Sequence, residues 1–117
     1  MDIIFNIKAN ILVVELYGEL DHHAAVNIRK DIDETIAAYG TRDLLLDFSK
    51  VTFMDSSGIG VILGRYRKLS VEGGHIAACC CSLTVRNILN MAGVFSVIDY
   101  FDTQKEAMDY LCRKEVQ

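Results

Sequence analysis

The stretch LLLDFSKVTFMDSSGIGVILGRYRKLSV, residues 44–71, passes from an apolar run through a polar junction into a helical pattern. Leu44-Leu45-Leu46-Asp47-Phe48 is short and almost wholly apolar, which reads as a buried strand. Lys50 to Met54 leads from it into Asp55-Ser56-Ser57-Gly58. From about Ser57 to Val71, the residues Ile59, Ile62, Leu63, Tyr66 and Leu69 recur at helical spacing and mark a core face. Gly73-Gly74 then stops the helix. Strand, polar loop and helix form one half of a βαβ unit.

The same alternation extends in both directions. Upstream, Ile3, Phe5 and Ile7 alternate with other residues, and Asn10 opens the run Ile-Leu-Val-Val-Glu-Leu-Tyr, so two strands are expected to meet at a tight turn near Ala9-Asn10. Asp21 starts a helix in which Ala25, Ile28, Ile32, Ile36 and Tyr39 share one face and Gly40 is the stop. Downstream, His75 to Cys81 reads as a buried strand. A third helix carries Val85, Ile88, Leu89 and Ala92 and stops at Gly93, and a short strand follows near Val97 and Ile98. Thr103-Gln-Lys-Glu106 opens the last helix as a capping box. The order β-β-α-β-α-β-α-β-α predicts an α/β fold with a mixed, mostly parallel sheet and right-handed crossovers. With no proline, linker or repeat, no boundary falls within residues 1–117.

Bulk properties narrow the function. A chain of 117 residues supports one hydrophobic core. No run approaches the roughly 18 apolar residues needed to span a bilayer, so no membrane partner is expected. The start MDIIFNIKANILVVEL lacks a basic segment and a cleavage site, which points to the cytoplasm. The net charge is −4 and the basic residues are scattered, an arrangement unsuited to neutralising nucleic-acid phosphates. Cys79, Cys80, Cys81 and Cys112 offer neither a disulfide framework nor a Cys-x-x-Cys pair, and the triplet reads as small buried hydrophobes.

Functional loops of parallel α/β units gather beyond the carboxyl ends of strands. Two junctions there are conspicuously polar: Gly18-Glu19-Leu20-Asp21-His22-His23 and Asp55-Ser56-Ser57-Gly58-Ile59-Gly60. Right-handed crossovers put both at one end of the sheet. A helix start tolerates an anion, so a phosphoryl group on Ser56 would meet N–H donors without melting the helix. Local sequence favours a blander role, with Ser56 and Ser57 as N-caps and Asp21 capping its own helix. Glycines at 58, 60 and 64 each weaken a helix by about 1 kcal/mol relative to Ala, so either close packing or an approaching partner must explain them. Catalytic readings are poor. The serines lack the Gly-x-Ser-x-Gly setting, His22 and His23 point apart on a helix with no ligand motif around them, and no phosphate-loop sequence occurs. No enzyme, metal or cofactor is expected.

Leu16-Tyr-Gly-Glu-Leu-Asp-His-His23, Phe53-Met-Asp-Ser-Ser-Gly-Ile-Gly-Val-Ile-Leu-Gly-Arg-Tyr66 and, more weakly, Met91-Ala-Gly-Val-Phe95 together resemble the anti-sigma factor antagonists of spore-forming bacteria. These are single STAS domains, and the likeness is strongest to those of the sigma factor F pathway. The resemblance implies that Ser56 is phosphorylated by an anti-sigma factor that is also a serine kinase. It implies that the unphosphorylated form binds that kinase and releases the sigma factor, and that a serine phosphatase resets the switch. Asp21 matches the family's acidic partner-contact residue. The expected partner surface is Asp21 with Asp55, Ser56, Ser57, Gly58, Ile59 and Gly60. Two other roles remain open: a small-molecule or nucleotide-binding STAS module using the second helix start, and an accessory subunit of a stress-sensing complex.

Overall fold

The computed structural model describes residues 2–115. Its elements are β1 (Asp2–Lys8), β2 (Ile11–Leu20), α1 (His22–Tyr39), β3 (Asp43–Met54), α2 (Ser56–Val71), β4 (Ile76–Cys79), α3 (Leu83–Met91), a 3-10 turn (Val94–Ser96), β5 (Asp99–Phe101) and α4 (Gln104–Glu115). They follow the expected order. The sheet runs β1-β2-β3-β4-β5. β1 lies antiparallel to β2 from Asp2↔Tyr17 to Lys8↔Ile11, and every other pairing is parallel. Ala9 takes φ 54°, the left-handed backbone of a tight reversal.

The apolar runs of β2 and β3 are continuous because both sheet faces are covered. Leu12, Val14, Leu16, Leu44, Leu46 and Phe48 pack under α1, α2 and α3. Ile11, Val13 and Leu45 face the other way, against Ala107 and Leu111 of α4. Strand alternation thus sends each run into two cores at once. At the start of α4, the Glu106 N–H donates to Thr103 Oγ1 at 3.1 Å. The glutamate carboxylate accepts from that hydroxyl at 3.0 Å, so the box closes on the side chain.

Several expectations need correction. β3 does not end at Phe48. It continues to Met54 because β2 is equally long and pairs with it as far as Leu20↔Met54, past two irregularities in the ladder. Only Val51 and Met54 of this extension are buried, so its pattern carries little strand signal. Tyr39 is 69% exposed, since Ile36 is the last buried residue of α1 and the chain reverses at Gly40 with φ 67°. Ala92 is an exposed C-cap, outside the α3 core face. The strand assigned to Val97 and Ile98 lies at Asp99–Phe101, because Ile98 plugs the core while the next three residues pair with β4. The cysteine strand stops at Cys79. That residue is buried, but Cys80 and Cys81 are half-buried and Cys112 is exposed, so the small-hydrophobe reading fits Cys79 best.

The buried stripe of α2 is Gly58, Val61, Ile62, Arg65 and Leu69, while Ile59, Leu63 and Tyr66 are only partly covered. An apolar count cannot see a stripe that contains a glycine and an arginine. Arg65 Nε sits 3.1 Å from Asp33 Oδ1 of α1. Lys68 Nζ lies 3.6 Å from the same oxygen. This charge cluster joins the two helices that open the candidate site.

Candidate functional site

Both polar junctions lie at the carboxyl ends of neighbouring parallel strands. The ladder holds them in register: Leu20 pairs with Met54, and the next N–H, that of Asp55, reaches Leu20 O at 3.4 Å. Gly18, at φ 105°, takes a backbone that L side chains rarely adopt, at the irregularity just before Glu19. The starts of α1 and α2 are therefore side by side, with His22 Nδ1 3.3 Å from Ser57 Oγ.

Asp21 caps α1, accepting the Ala24 N–H at Oδ1 over 3.0 Å. That bond is the main reason its carboxyl is held below the usual range, with His23 adding a smaller effect. A depressed pKa means that the cap's contribution is present at neutral pH and is lost as pH falls through the folded-state value. Asp55 caps α2, with Oδ1 accepting from the Ser57 N–H at 2.9 Å. The N-cap of α2 is thus Asp55, and the capping role expected of Ser56 and Ser57 is corrected. Both Asp21 and Asp55 have extended backbone, the conformation an N-cap requires. Ser56 becomes the first helical residue. It is exposed, and its hydroxyl makes no hydrogen bond among the described residues.

The glycines divide into two kinds. At Gly58 an added Cβ would lie 2.6 Å from Met54 Cγ and 2.8 Å from Leu20 Cγ, so only glycine lets the first turn of α2 rest on the strand ends. At Gly60 and Gly64 nothing lies within 4 Å, and the surface is open. Gly58→Ala is expected to destabilise the fold, because overpacking costs about 1–3 kcal/mol and exceeds the helix-propensity gain. Gly60→Ala should instead stabilise it by up to about 1 kcal/mol. Denaturant midpoints of the two variants would report the opposite signs.

Of the other expected partner residues, Ile59 is half-buried against the core and Gly60 is exposed. Gly60 borders a groove of about 280 Å³ between α1 and α2, lined also by His22, Val26, Arg29 and Ser57. Sequence reasoning placed His22 in the first polar junction but left it out of the expected partner surface, and it missed Val26 and Arg29. Their spacing of three to four residues puts them on one face of α1, a signal that was available once the two helices were taken to be adjacent. Val26 is 54% exposed, which gives this edge an apolar contact beside charged groups.

Comparison with known proteins matches this architecture. The STAS domain family model covers residues 2–107. The anti-sigma F factor antagonist of Paenibacillus polymyxa is 39% identical over 101 residues, 86% of each chain. The solved structure of the anti-sigma factor antagonist SpoIIAA in its unphosphorylated form superposes with a TM-score of 0.75 at 32% identity, covering 93% of this chain and 96% of that one. The phosphorylated form of the Bacillus cell fate determinant SpoIIAA gives a TM-score of 0.73 at 32% identity, over 93% and 98% of the two chains. With the family model spanning residues 2–107 and these relatives matched over most of their length, this chain belongs to the STAS domain family, among its anti-sigma factor antagonists.

Proposed function

We propose that this chain, when unphosphorylated, binds an anti-sigma factor that is also a serine kinase and so frees a sporulation sigma factor for transcription. Phosphorylation on Ser56 switches it off and a serine phosphatase resets it. It works by binding in the cytoplasm, without catalysis or cofactor. The observation that carries this reading is the exposed Ser56 hydroxyl at the first turn of α2, left unoccupied because Asp55 does the capping. Relatives of this length include anti-sigma F factor antagonists, and one solved relative is described in a phosphorylated form.

The physics of the switch is local. A phosphate at a helix start meets backbone N–H donors and a favourable dipole, so the helix survives. It also adds roughly two negative charges beside Asp55, close to Asp21 across the paired strand ends. A partner fitted to a neutral hydroxyl then faces a bulky dianion. A nucleotide-binding reading is less well supported. The groove beside Ser57 is open and, at about 280 Å³, falls at the lower edge of small-ligand pockets.

A binding titration against an anti-sigma F kinase, with release of its sigma factor followed in the same mixture, tests this function. Asp21→Asn belongs in the same series. Asn caps a helix about as well as Asp, so thermal stability should hold while the charge is removed. Loss of one charge-assisted hydrogen bond should weaken binding by at least about tenfold. Unchanged affinity would leave Asp21 as a cap alone.

A further inference from the structure

Away from the paired helix starts, one group of ligand-type side chains meets on the face of the sheet covered by α4. Asp47 of β3, Cys79 at the end of β4 and Cys80 just beyond it bring a carboxylate oxygen and two sulfurs within 4.8 Å of one another. Adjacent strand residues normally point to opposite faces. Cys79 and Cys80 do not, because Cys80 takes φ 64° just past the end of β4. Both side chains then join the cluster under α4, while Cys81 packs with the opposite core. The left-handed turn at a non-glycine residue is an uncommon conformation, and here it pairs two thiols on one side.

The carboxylate is equally deliberate. Asp47 is 6% exposed in an otherwise apolar layer. Its Oδ1 accepts the Ser49 N–H at 2.8 Å, and its Oδ2 accepts from Gln104 Nε2 at 2.8 Å. Those bonds fix its direction and leave lone pairs free, because a carboxylate has about four acceptor positions.

We propose that Cys79, Cys80 and Asp47 form a binding site for a thiophilic divalent cation of the zinc type. Two thiolates and one carboxylate are a donor set that zinc accepts. With metal–sulfur distances of about 2.3 Å and metal–oxygen distances of about 2.0–2.2 Å, the tetrahedral ligand separations are about 3.5–3.8 Å. The three ligand atoms already stand within 4.8 Å of one another, so binding draws them together by about 1 Å. Binding forms two metal–sulfur bonds and one metal–oxygen bond, and the two thiol protons leave to solvent.

Cobalt(II) titration of the reduced full-length protein tests the site. The expected result is one cobalt per chain, with thiolate-to-cobalt charge transfer and the visible bands of a tetrahedral centre. Cys80→Ser is the working variant, because Cys80 is half-buried and its replacement should leave the fold intact by thermal unfolding. It should abolish the charge-transfer band of the paired thiolates. Asp47→Asn should weaken affinity by more than the roughly 10- to 100-fold seen when outer-shell partners are lost. A Cys81→Ser/Cys112→Ser double variant should bind like wild type. No cobalt–thiolate band in the wild type, a band indifferent to Cys80→Ser or Asp47→Asn, or one lost in the double variant would each overturn the assignment.

Discussion

Ser56→Ala is expected to abolish phosphate uptake from an anti-sigma kinase and ATP, while Ser57→Ala retains it. The two hydroxyls are neighbours in sequence but not in environment. Ser56 is exposed at the first position of α2, with its hydroxyl uncommitted among the described residues. Ser57 is half-buried, with its N–H held by Asp55 and its Oγ 3.3 Å from His22 Nδ1. In-line attack on a γ-phosphate needs an accessible oxygen that the kinase can position, and only Ser56 offers one freely. Neither variant should lose much stability, because the cap of α2 belongs to Asp55. Intact-mass and peptide mass spectrometry after the kinase reaction would read the pattern, and phosphate on Ser57 in the wild type would reverse the assignment.

Asp33→Ala should cost about 3 kcal/mol of folding stability, the scale of breaking a buried ion pair by removing one partner. Arg65 is 8% exposed on α2, and Asp33 is its anion across the α1–α2 contact. Burial lowers the pKa of the Arg65 guanidinium, and the nearby Arg29 lowers it further, so Asp33 alone opposes that trend. Without it, Arg65 and Lys68 both lose the carboxylate oxygen that lies 3.1 Å from one and 3.6 Å from the other. The exposed pair Lys30–Glu34, at 4.0 Å, is a useful contrast, since its loss should cost only about 0.3–0.5 kcal/mol. Adding Arg65→Met to Asp33→Ala should recover most of the loss, because an apolar replacement removes the stranded charge. Urea unfolding of the four proteins in this cycle would measure the coupling. A near-zero effect of Asp33→Ala would mean that Arg65 finds solvent or another partner. The consequence for function is direct, because this pair fastens together the two helices whose starts form the proposed partner surface.

Much of this architecture is visible in the residue pattern, and the misses share a cause. Ala25, Ile28, Ile32 and Ile36 announce α1, and the apolar runs at Ile11–Val14 and Leu44–Phe48 announce strands covered on both faces. Their parallel pairing brings Asp21 and Ser56 to one edge, as the order of elements implies. Where burial is shared with other groups, the pattern fades. Lys50–Met54 is a strand supported mainly by its neighbour β2, and the buried stripe of α2 contains Gly58 and Arg65 in place of aliphatics. The identity of the α2 cap turned on a single residue. Asp55, Ser56 and Ser57 are all good N-caps, and only the extended backbone at Asp55 decides among them. That decision is what frees the Ser56 hydroxyl. The turn at Cys80 is invisible for a different reason, since nothing in three adjacent cysteines says where the strand ends.

The most direct test compares the affinity of an anti-sigma F kinase for the unmodified protein and for protein phosphorylated on Ser56, with far-UV circular dichroism recorded on both. Like-charge contact at an interface costs several kcal/mol, so binding should fall by at least about 100-fold while the dichroism spectra superimpose. Equal affinity of the two forms, or a collapse of the helical signal on phosphorylation, would contradict a switch that acts through surface charge on an intact fold.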